Sequence, residues 1–188
     1  MELAPRASLW AAFSAPEDGK NTAFSGVFNK LAAMMGGAHR FAHCALLWKV
    51  DDEQKVGFHS SIVWGGKVFC EPCEFSVEES PTDGKGTVTI PRYGKMHTIR
   101  ICVPLDWSPV DMMGDVDSFQ GMCYDKAGAV LSAAPNWASR QRETTAENTA
   151  TFCSEYCSFL LHKHAGVTLH SMQPSQLCPN ELYSLLSQ

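Results

Sequence analysis

The sequence has no long apolar run, no strong net charge and no cluster of basic residues. Its 188 residues contain 15 Lys and Arg against 20 Asp and Glu, which gives a formal net charge of −5 at pH 7. Proteins that bind the phosphate backbone of nucleic acids carry a basic patch or stripe. We therefore exclude nucleic acid as a partner.

The apolar segments are also too short to cross a membrane. The run at residues 42–48 falls far below the roughly 20 residues that a transmembrane helix needs, so we predict no integral membrane segment. Residues 1–13 contain Glu2 and Pro5 and lack the apolar core that is typical of a secretory signal. These features predict a soluble, cytoplasmic protein and leave its oligomeric state open.

Cysteine, by contrast, is abundant, with eight copies. An even number can indicate a disulfide framework, but that pattern is typical of short exported chains. A chain of this length can bury one hydrophobic core without cross-links, so we predict a single domain over residues 1–188 with reduced thiols. Cys44, Cys102 and Cys157 lie in apolar runs, where a free thiol behaves as a small hydrophobic side chain.

Two cysteines, Cys70 and Cys73, have the CxxC spacing of zinc and redox sites. A zinc site needs two further ligands, and the sequence offers no second CxxC or HxxxH pair at suitable spacing. A thioredoxin-like site needs the motif to open a helix, whereas residues 74–77 read as strand or loop. We therefore predict no bound metal and no cofactor, and we keep a zinc-binding interaction protein as an alternative.

The first half of the chain has the patterns of a β-sheet. The apolar segment at residues 8–13 predicts a buried strand. A helix with Asn21 as its N-cap and a stop at Gly36 follows it. A β-meander and then two alternating strands are predicted over residues 41–50, 55–59, 67–70, 86–91 and 96–104.

The second half has the signals of helices. Ser108 and Pro109 form a helix start, because a capping hydroxyl precedes a proline at the first helical position. Further helices are predicted over residues 124–133, over residues 151–164 with Gly166 as the stop, and from Pro179 onward. Residues 134–148 are polar and predict a long loop beside the site.

Cys153 has the surroundings of a reactive thiol. It lies in the first turn of a predicted helix, where the helix dipole favours the thiolate over the thiol. A neighbouring imidazole also favours the thiolate, and His43 lies within an apolar strand, an unusual place for such a side chain. We hypothesise that the fold brings Cys153 and His43 together.

Five segments in a fixed order carry a resemblance to a known family. They are FAHCALLW around His43, FHSSIVWGGKVF, CYDKAGAV, FCSEYCSFLL and CPNELYSLL. In this order the chain resembles the circularly permuted papain-like (NlpC-type) cysteine hydrolases, with lecithin retinol acyltransferase-like relatives, from about Leu9 onward. In that family the histidine strand precedes the cysteine helix, and the helix begins with a Cys-Ser-Glu motif that residues 153–155 match.

The resemblance implies a fold and several residue roles. The fold would be an α+β domain of the permuted papain-like type, in which an antiparallel β-meander or small barrel packs against the helix that bears the nucleophile. Cys153 is implied as the nucleophile and His43 as the general base. His59 is implied as the third member of the site, with Ser60 or Ser61 in its place if the strand register is shifted.

The implied activity is that of a cysteine peptidase, amidase, thioesterase or acyltransferase that forms an acyl-enzyme. Tyr124 resembles the family tyrosine that lines the site near the oxyanion, and the backbone N–H of Cys153 would be a second donor there. The substrate would be a peptide, an isopeptide or an acyl lipid. The alternative is a catalytically inactive papain-like module that binds a peptide or lipid in its groove.

Overall fold

The computed structural model describes the protein over residues 7–15, 41–51, 53–63, 65–91, 93–132, 144–145, 147–170 and 172–188. The predicted helix that begins at Asn21 lies outside these residues, as does most of the predicted loop at residues 134–148. Within the described residues the protein has a mixed α+β structure, as the sequence predicts.

The described residues form nine strands and four α-helices. The strands are β1 (Ser8–Ser14), β2 (His43–Lys49), β3 (Val56–Ile62), β4 (Val68–Glu74), β5 (Val77–Glu79), β6 (Lys85–Ile90), β7 (Gly94–Arg100), β8 (Cys123–Tyr124) and β9 (Ala150–Thr151). The helices are α1 (Pro109–Phe119), α2 (Lys126–Ser132), α3 (Cys153–Ala165) and α4 (Pro179–Leu186), with one 3-10 turn at Pro174–Gln176. No helix in these parts of the chain combines the length and apolarity needed to span a membrane.

Seven strands form one antiparallel sheet in the order β4-β3-β2-β1-β7-β6-β5. Strand β1 is central because it pairs with β2 on one side and with β7 on the other. The predicted β-meander is confirmed as β2, β3 and β4, each of which pairs with the next. The short strands β8 and β9 pair in parallel outside this sheet.

The sheet is strongly curled. Its two edge strands, β4 and β5, are separated along the chain only by Phe75 and Ser76, so the edges lie close together. In a flat sheet β1 and β5 would be about 14 Å apart, which is three strand spacings. Instead, the indole N–H of Trp10 in β1 donates to Glu79 in β5, and its ring lies 5.9 Å from that of Phe75.

Each face of the sheet buries its own apolar cluster. The helix-side core lies between the sheet and the helices and includes Leu9, Leu46, Trp48, Cys44, Cys153, Tyr156, Cys157 and Leu160. The inner core lies on the other face and includes Trp10, Leu47, Phe75, Val88, Tyr93 and Met96. Because a strand covered on only one face alternates between buried and exposed residues, these two cores explain why β1 and β2 are buried at every position.

The bounds of three strands differ most from those that the sequence predicts. β3 continues to Ile62, and β4 continues through Pro72 to Glu74. Proline is tolerated there because β4 is an edge strand, with one side that has no neighbouring strand to accept an N–H. The strand predicted over residues 96–104 ends earlier, so Cys102 is exposed rather than packed in the core.

Helix ends follow the predicted capping signals, with one correction. The Ser108 Oγ accepts the N–H of Asp111 at 3.3 Å where α1 begins, and Gly166 ends α3 in the left-handed region with φ of 67°. The helix predicted from residue 124 begins later, at Lys126, because the Asp125 carboxylate accepts the N–H of Gly128 at 2.8 Å and caps α2 there.

Gly57 in β3 has no room for a side chain. A Cβ atom at this position would overlap the carbonyl oxygen of Trp48 and lie 2.6 Å from a ring carbon of Phe75. We expect Gly57→Ala to lower the free energy of unfolding by about 2 kcal/mol or more, because the overlap is with backbone that cannot move away. Urea denaturation followed by circular dichroism measures this change.

Gly114 in α1 provides the matched control. A Cβ atom there meets nothing within 4 Å, and alanine is favoured over glycine in a helix by about 1 kcal/mol. Gly114→Ala should therefore leave the protein as stable as before or more stable. A similar loss of stability in both variants would contradict the steric explanation for Gly57.

Candidate active site

Cys153 is the first residue of α3, and its side chain lies almost entirely inside the protein at 3 % exposure. The helix begins here because Phe152 is extended and its carbonyl accepts the N–H of Tyr156 at 2.9 Å. The first N–H groups of a helix have no acceptor within it, so the Cys153 sulfur lies at the positive end of the helix dipole. The sequence predicted this position in the first turn.

The start of β2 lies against the start of α3. His43 is the first residue of β2, and the side chains of His43 and Cys44 both form hydrogen bonds with Cys153. Cys44 also belongs to the helix-side core together with Cys153 and Cys157. The structure therefore brings together the cysteine and the histidine that the sequence analysis paired.

These contacts favour the thiolate form of Cys153. The hydrogen bond from the Cys44 thiol is the largest cause that lowers the pKa of Cys153 well below that of an ordinary thiol, and it acts against burial. The hydrogen bond and charge of His43 and the backbone N–H of Cys44 lower this pKa further. Burial, followed by hydrogen bonds to Cys153 and Cys157, raises the pKa of Cys44, so Cys44 keeps its proton.

Ser61 orients the imidazole ring of His43. Its Oγ donates to the carbonyl oxygen of Cys44 at 2.8 Å and lies 3.1 Å from Nε2 of His43. A hydroxyl has one proton to donate, and the Cys44 carbonyl receives it, so the Ser61 oxygen accepts the N–H of Nε2. In the neutral imidazole Nε2 is then protonated and Nδ1 is the basic nitrogen.

His59 is too far from His43 to be the third member of the site. It lies opposite Leu47 in the β2–β3 register, four residues along β2 from His43, which corresponds to about 13 Å. Ser61, two residues further along β3, occupies the position next to the imidazole. The prediction of His59 is thus corrected to one of the two alternatives that the sequence left open.

The surroundings of His59 are those of a core histidine. Its ring is 0 % exposed and lies 5.1 Å from the ring of Phe69 and 4.7 Å from that of Tyr93. Its Nδ1 lies 3.6 Å from the carboxylate of Glu71 on β4. His59 therefore packs in the curl of the sheet, beside the inner core.

Tyr124 faces the thiol, as the resemblance implies. It lies on β8, where its N–H donates to the carbonyl of Gly66 at 3.1 Å, and its hydroxyl forms a hydrogen bond with Cys153. Burial, followed by the charge of Cys153, raises the pKa of Tyr124 well above its usual value, so the phenol stays protonated and can donate. The residue as a whole is partly exposed.

Glu155 is a buried carboxylate that the sequence analysis noted only as part of a motif. It is 0 % exposed, and its two oxygens accept the hydroxyls of Thr144 and Thr151, each at 3.0 Å. Thr151 pairs with Tyr124, and its carbonyl accepts the N–H of Asp125 at 2.7 Å. Glu155 thereby ties the start of α3 to the strand that carries Tyr124. The sequence signal for this contact was an acid at the third residue of the helix with a threonine four residues before it.

The CxxC pair lies on a strand. Cys70 and Cys73 both belong to β4, and residues three apart on a strand face opposite sides of the sheet. Across the described residues, no three His, Cys, Asp or Glu side chains are grouped so that they could hold a metal ion. All eight cysteines have free thiols.

Comparisons with known proteins give no relative. No protein-family model matches the chain, and neither the curated proteins nor the solved structures contain a significant match. The resemblance to permuted papain-like hydrolases therefore depends on the motifs and on the geometry of this chain.

The lowered pKa of Cys153 predicts selective alkylation at low pH. Ordinary thiols have a pKa of about 8.5 and are protonated below that pH, whereas the Cys153 thiolate persists there. The pH at which Cys153 reacts with iodoacetamide at half its maximal rate should therefore lie below about 8.5. Burial raises the pKa of Cys70 to about 11, so Cys70 should stay slow over the same range. Peptide mapping by mass spectrometry measures both rates. A Cys153 midpoint equal to that of the denatured chain would contradict the lowered pKa.

Proposed function

We propose that the protein is a cysteine hydrolase or acyltransferase of the permuted papain-like type, with Cys153 as nucleophile and His43 as general base. One observation carries the proposal. A thiol with a lowered pKa lies at a helix start and hydrogen-bonds to an imidazole whose Nε2 contacts Ser61. The order of the elements supports it as well, since the histidine strand precedes the cysteine helix.

The first step is formation of the nucleophile. Nδ1 of His43 takes the proton of the Cys153 thiol and produces a thiolate paired with an imidazolium. The Nε2–H of the ring donates to Ser61 before and after this transfer, so the ring keeps its orientation. The Cys44 thiol, which retains its proton, donates to the thiolate and stabilises it.

The second step forms the acyl-enzyme. The Cys153 sulfur forms a bond to the carbonyl carbon of the substrate, and the π electrons move to the carbonyl oxygen. The backbone N–H of Cys153 and the Tyr124 hydroxyl donate to this oxyanion. When the carbonyl reforms, the bond to the leaving nitrogen, oxygen or sulfur breaks, and Nδ1–H of His43 protonates the leaving group.

The last step releases the acyl group. Water or a second acceptor gives a proton to Nδ1 of His43 and attacks the thioester carbon, and the carbon–sulfur bond breaks to return the Cys153 thiolate. Water as the acceptor gives hydrolysis, and an amine or alcohol gives acyl transfer. Peptides, isopeptides and acyl lipids all contain a suitable carbonyl, and the fold alone does not choose among them.

The burial of Cys153 bears on the substrate and on the alternative function. The 3 % exposure of Cys153 favours a slender group at the reacting carbonyl. The same burial favours one other function, a papain-like module that binds a peptide or lipid without catalysis. The two functions differ in whether an acyl group is ever transferred to Cys153.

Acylation by an activated ester separates these two functions. Incubation with para-nitrophenyl acetate should add one acetyl group to Cys153, because the thiolate displaces para-nitrophenolate, and intact-mass and peptide analysis detect it. Cys153→Ala should abolish this acylation. Cys157→Ala, which removes a buried thiol one turn along the same helix, should retain it. Acetylation that is equal in all three proteins would rule out Cys153 as the nucleophile.

Ser61 should act as a positioning residue. Ser61→Ala removes the acceptor of the Nε2–H, so we expect the acylation rate of Cys153 to fall by about tenfold, the effect of one lost hydrogen bond. The midpoint pH of Cys153 alkylation should rise, because the imidazolium that pairs with the thiolate loses its partner.

Ser60→Ala is the control for Ser61. The Ser60 hydroxyl contacts the carbonyl of Phe69 and the hydroxyl of Tyr156 rather than His43, so this variant should lose stability but keep the midpoint pH. A Ser61→Ala variant with an unchanged midpoint would remove Ser61 from the mechanism.

A further inference from the structure

A cavity of about 780 Å³ opens at the far end of β2 from Cys153. Its buried floor consists of Lys49, Phe75 and Val88. His43 and Lys49 are the two ends of β2, six residues or about 20 Å apart at the rise of a strand. The cavity is therefore separate from the proposed active site, and its size is that of a small-molecule site.

The unusual feature of this cavity is a lysine, Lys49, whose side chain lies mostly inside the protein. Lys49 is only 9 % exposed, and its Nζ lies 5.1 Å from the centre of the Phe75 ring. None of the ion pairs formed by the described residues includes Lys49. A lysine this buried normally has a carboxylate partner, because desolvation of its charge costs free energy that the partner offsets.

The rim of the cavity indicates which kind of anion fits. It contains Lys55 and Lys95 together with Glu53, Glu74 and Glu78. With Lys49 included, the three positive charges equal the three negative ones, so the lining has no net positive charge to hold a ligand with several negative charges. A single negative charge needs only one lysine as its partner.

We propose that this cavity binds a ligand with one carboxylate, which pairs with Lys49 while the apolar part of the ligand covers Phe75 and Val88. The carboxylate belongs either to a small free acid or to the C-terminus of a peptide. In either ligand the carboxylate pairs with Lys49, and the rest of the ligand lies near the charged residues of the rim.

Benzoate tests the proposal directly, with benzamide as its neutral counterpart of the same shape. In a heteronuclear NMR titration of the full chain, benzoate should cause saturable shifts in the amide signals of Phe75 and Val88, and benzamide should not. The tripeptide Gly-Gly-Phe and its C-terminal amide form the second pair. Tighter binding of the free tripeptide than of benzoate assigns the carboxylate to a peptide end, and the reverse assigns it to a small acid.

Lys49→Met tests the role of the ammonium group. Methionine retains the length and apolar stem, so the variant should remain folded, and we expect its affinity for benzoate to fall by at least about tenfold. Lys85→Met, on β6 but outside the cavity, should bind benzoate as the unaltered protein does. If Lys49→Met fails to fold, Lys95→Met at the rim should still weaken binding.

Two results would overturn the proposal. One is the absence of saturable shifts with benzoate and with Gly-Gly-Phe up to their solubility limits. The other is equal binding of each acid and its amide, which would show that the cavity recognises the apolar group and not the carboxylate.

Discussion

The contact between the start of α3 and the start of β2 determines the chemistry of the candidate site. A thiolate inside a protein is costly because burial removes it from water, and Cys153 is 3 % exposed. Its charge is sustained by the Cys44 thiol, His43 and the helix start, which act together against burial. Since β2 supplies two of these partners and α3 supplies the sulfur, the packing of the helix-side core also holds the atoms of the candidate site in place.

The neutral partner of His43 distinguishes this site from one in which a carboxylate orients the imidazole. A carboxylate would accept from the ring and also attract its positive charge, whereas the Ser61 hydroxyl only accepts, since its proton is held by the Cys44 carbonyl. In the proposed ion pair, the imidazolium would therefore depend more on the thiolate for its stabilisation. Glu155, a buried carboxylate two residues after Cys153, accepts the hydroxyls of Thr144 and Thr151 instead.

The sequence predicts most elements of the fold, because periodicity and capping are local, but it does not predict β5, β8 or β9. The end of α3 at Gly166 follows from such a local signal, whereas α3 begins at Cys153, two residues later than predicted and without a side-chain cap. The pairing of Cys153 with His43 followed from thiol chemistry and from the family resemblance. The third member was not predictable, because the choice between His59 and Ser61 depends on the β2–β3 register. The cavity at Lys49 was also not predictable, since it depends on how the curl of the sheet brings Phe75 and Val88 to the end of β2.

The central position of β1 has a consequence for how the chain acquires its structure. The register pairs Trp10 with Arg100. Both edges of β1 can therefore be paired only after about half of the chain has been synthesised. Contacts of such long sequence separation slow folding, since a large loop must close before they form. While a nascent chain is still emerging from the ribosome, Leu9 to Phe13 would remain an apolar strand with an open edge, the kind of segment that chaperones shield from aggregation.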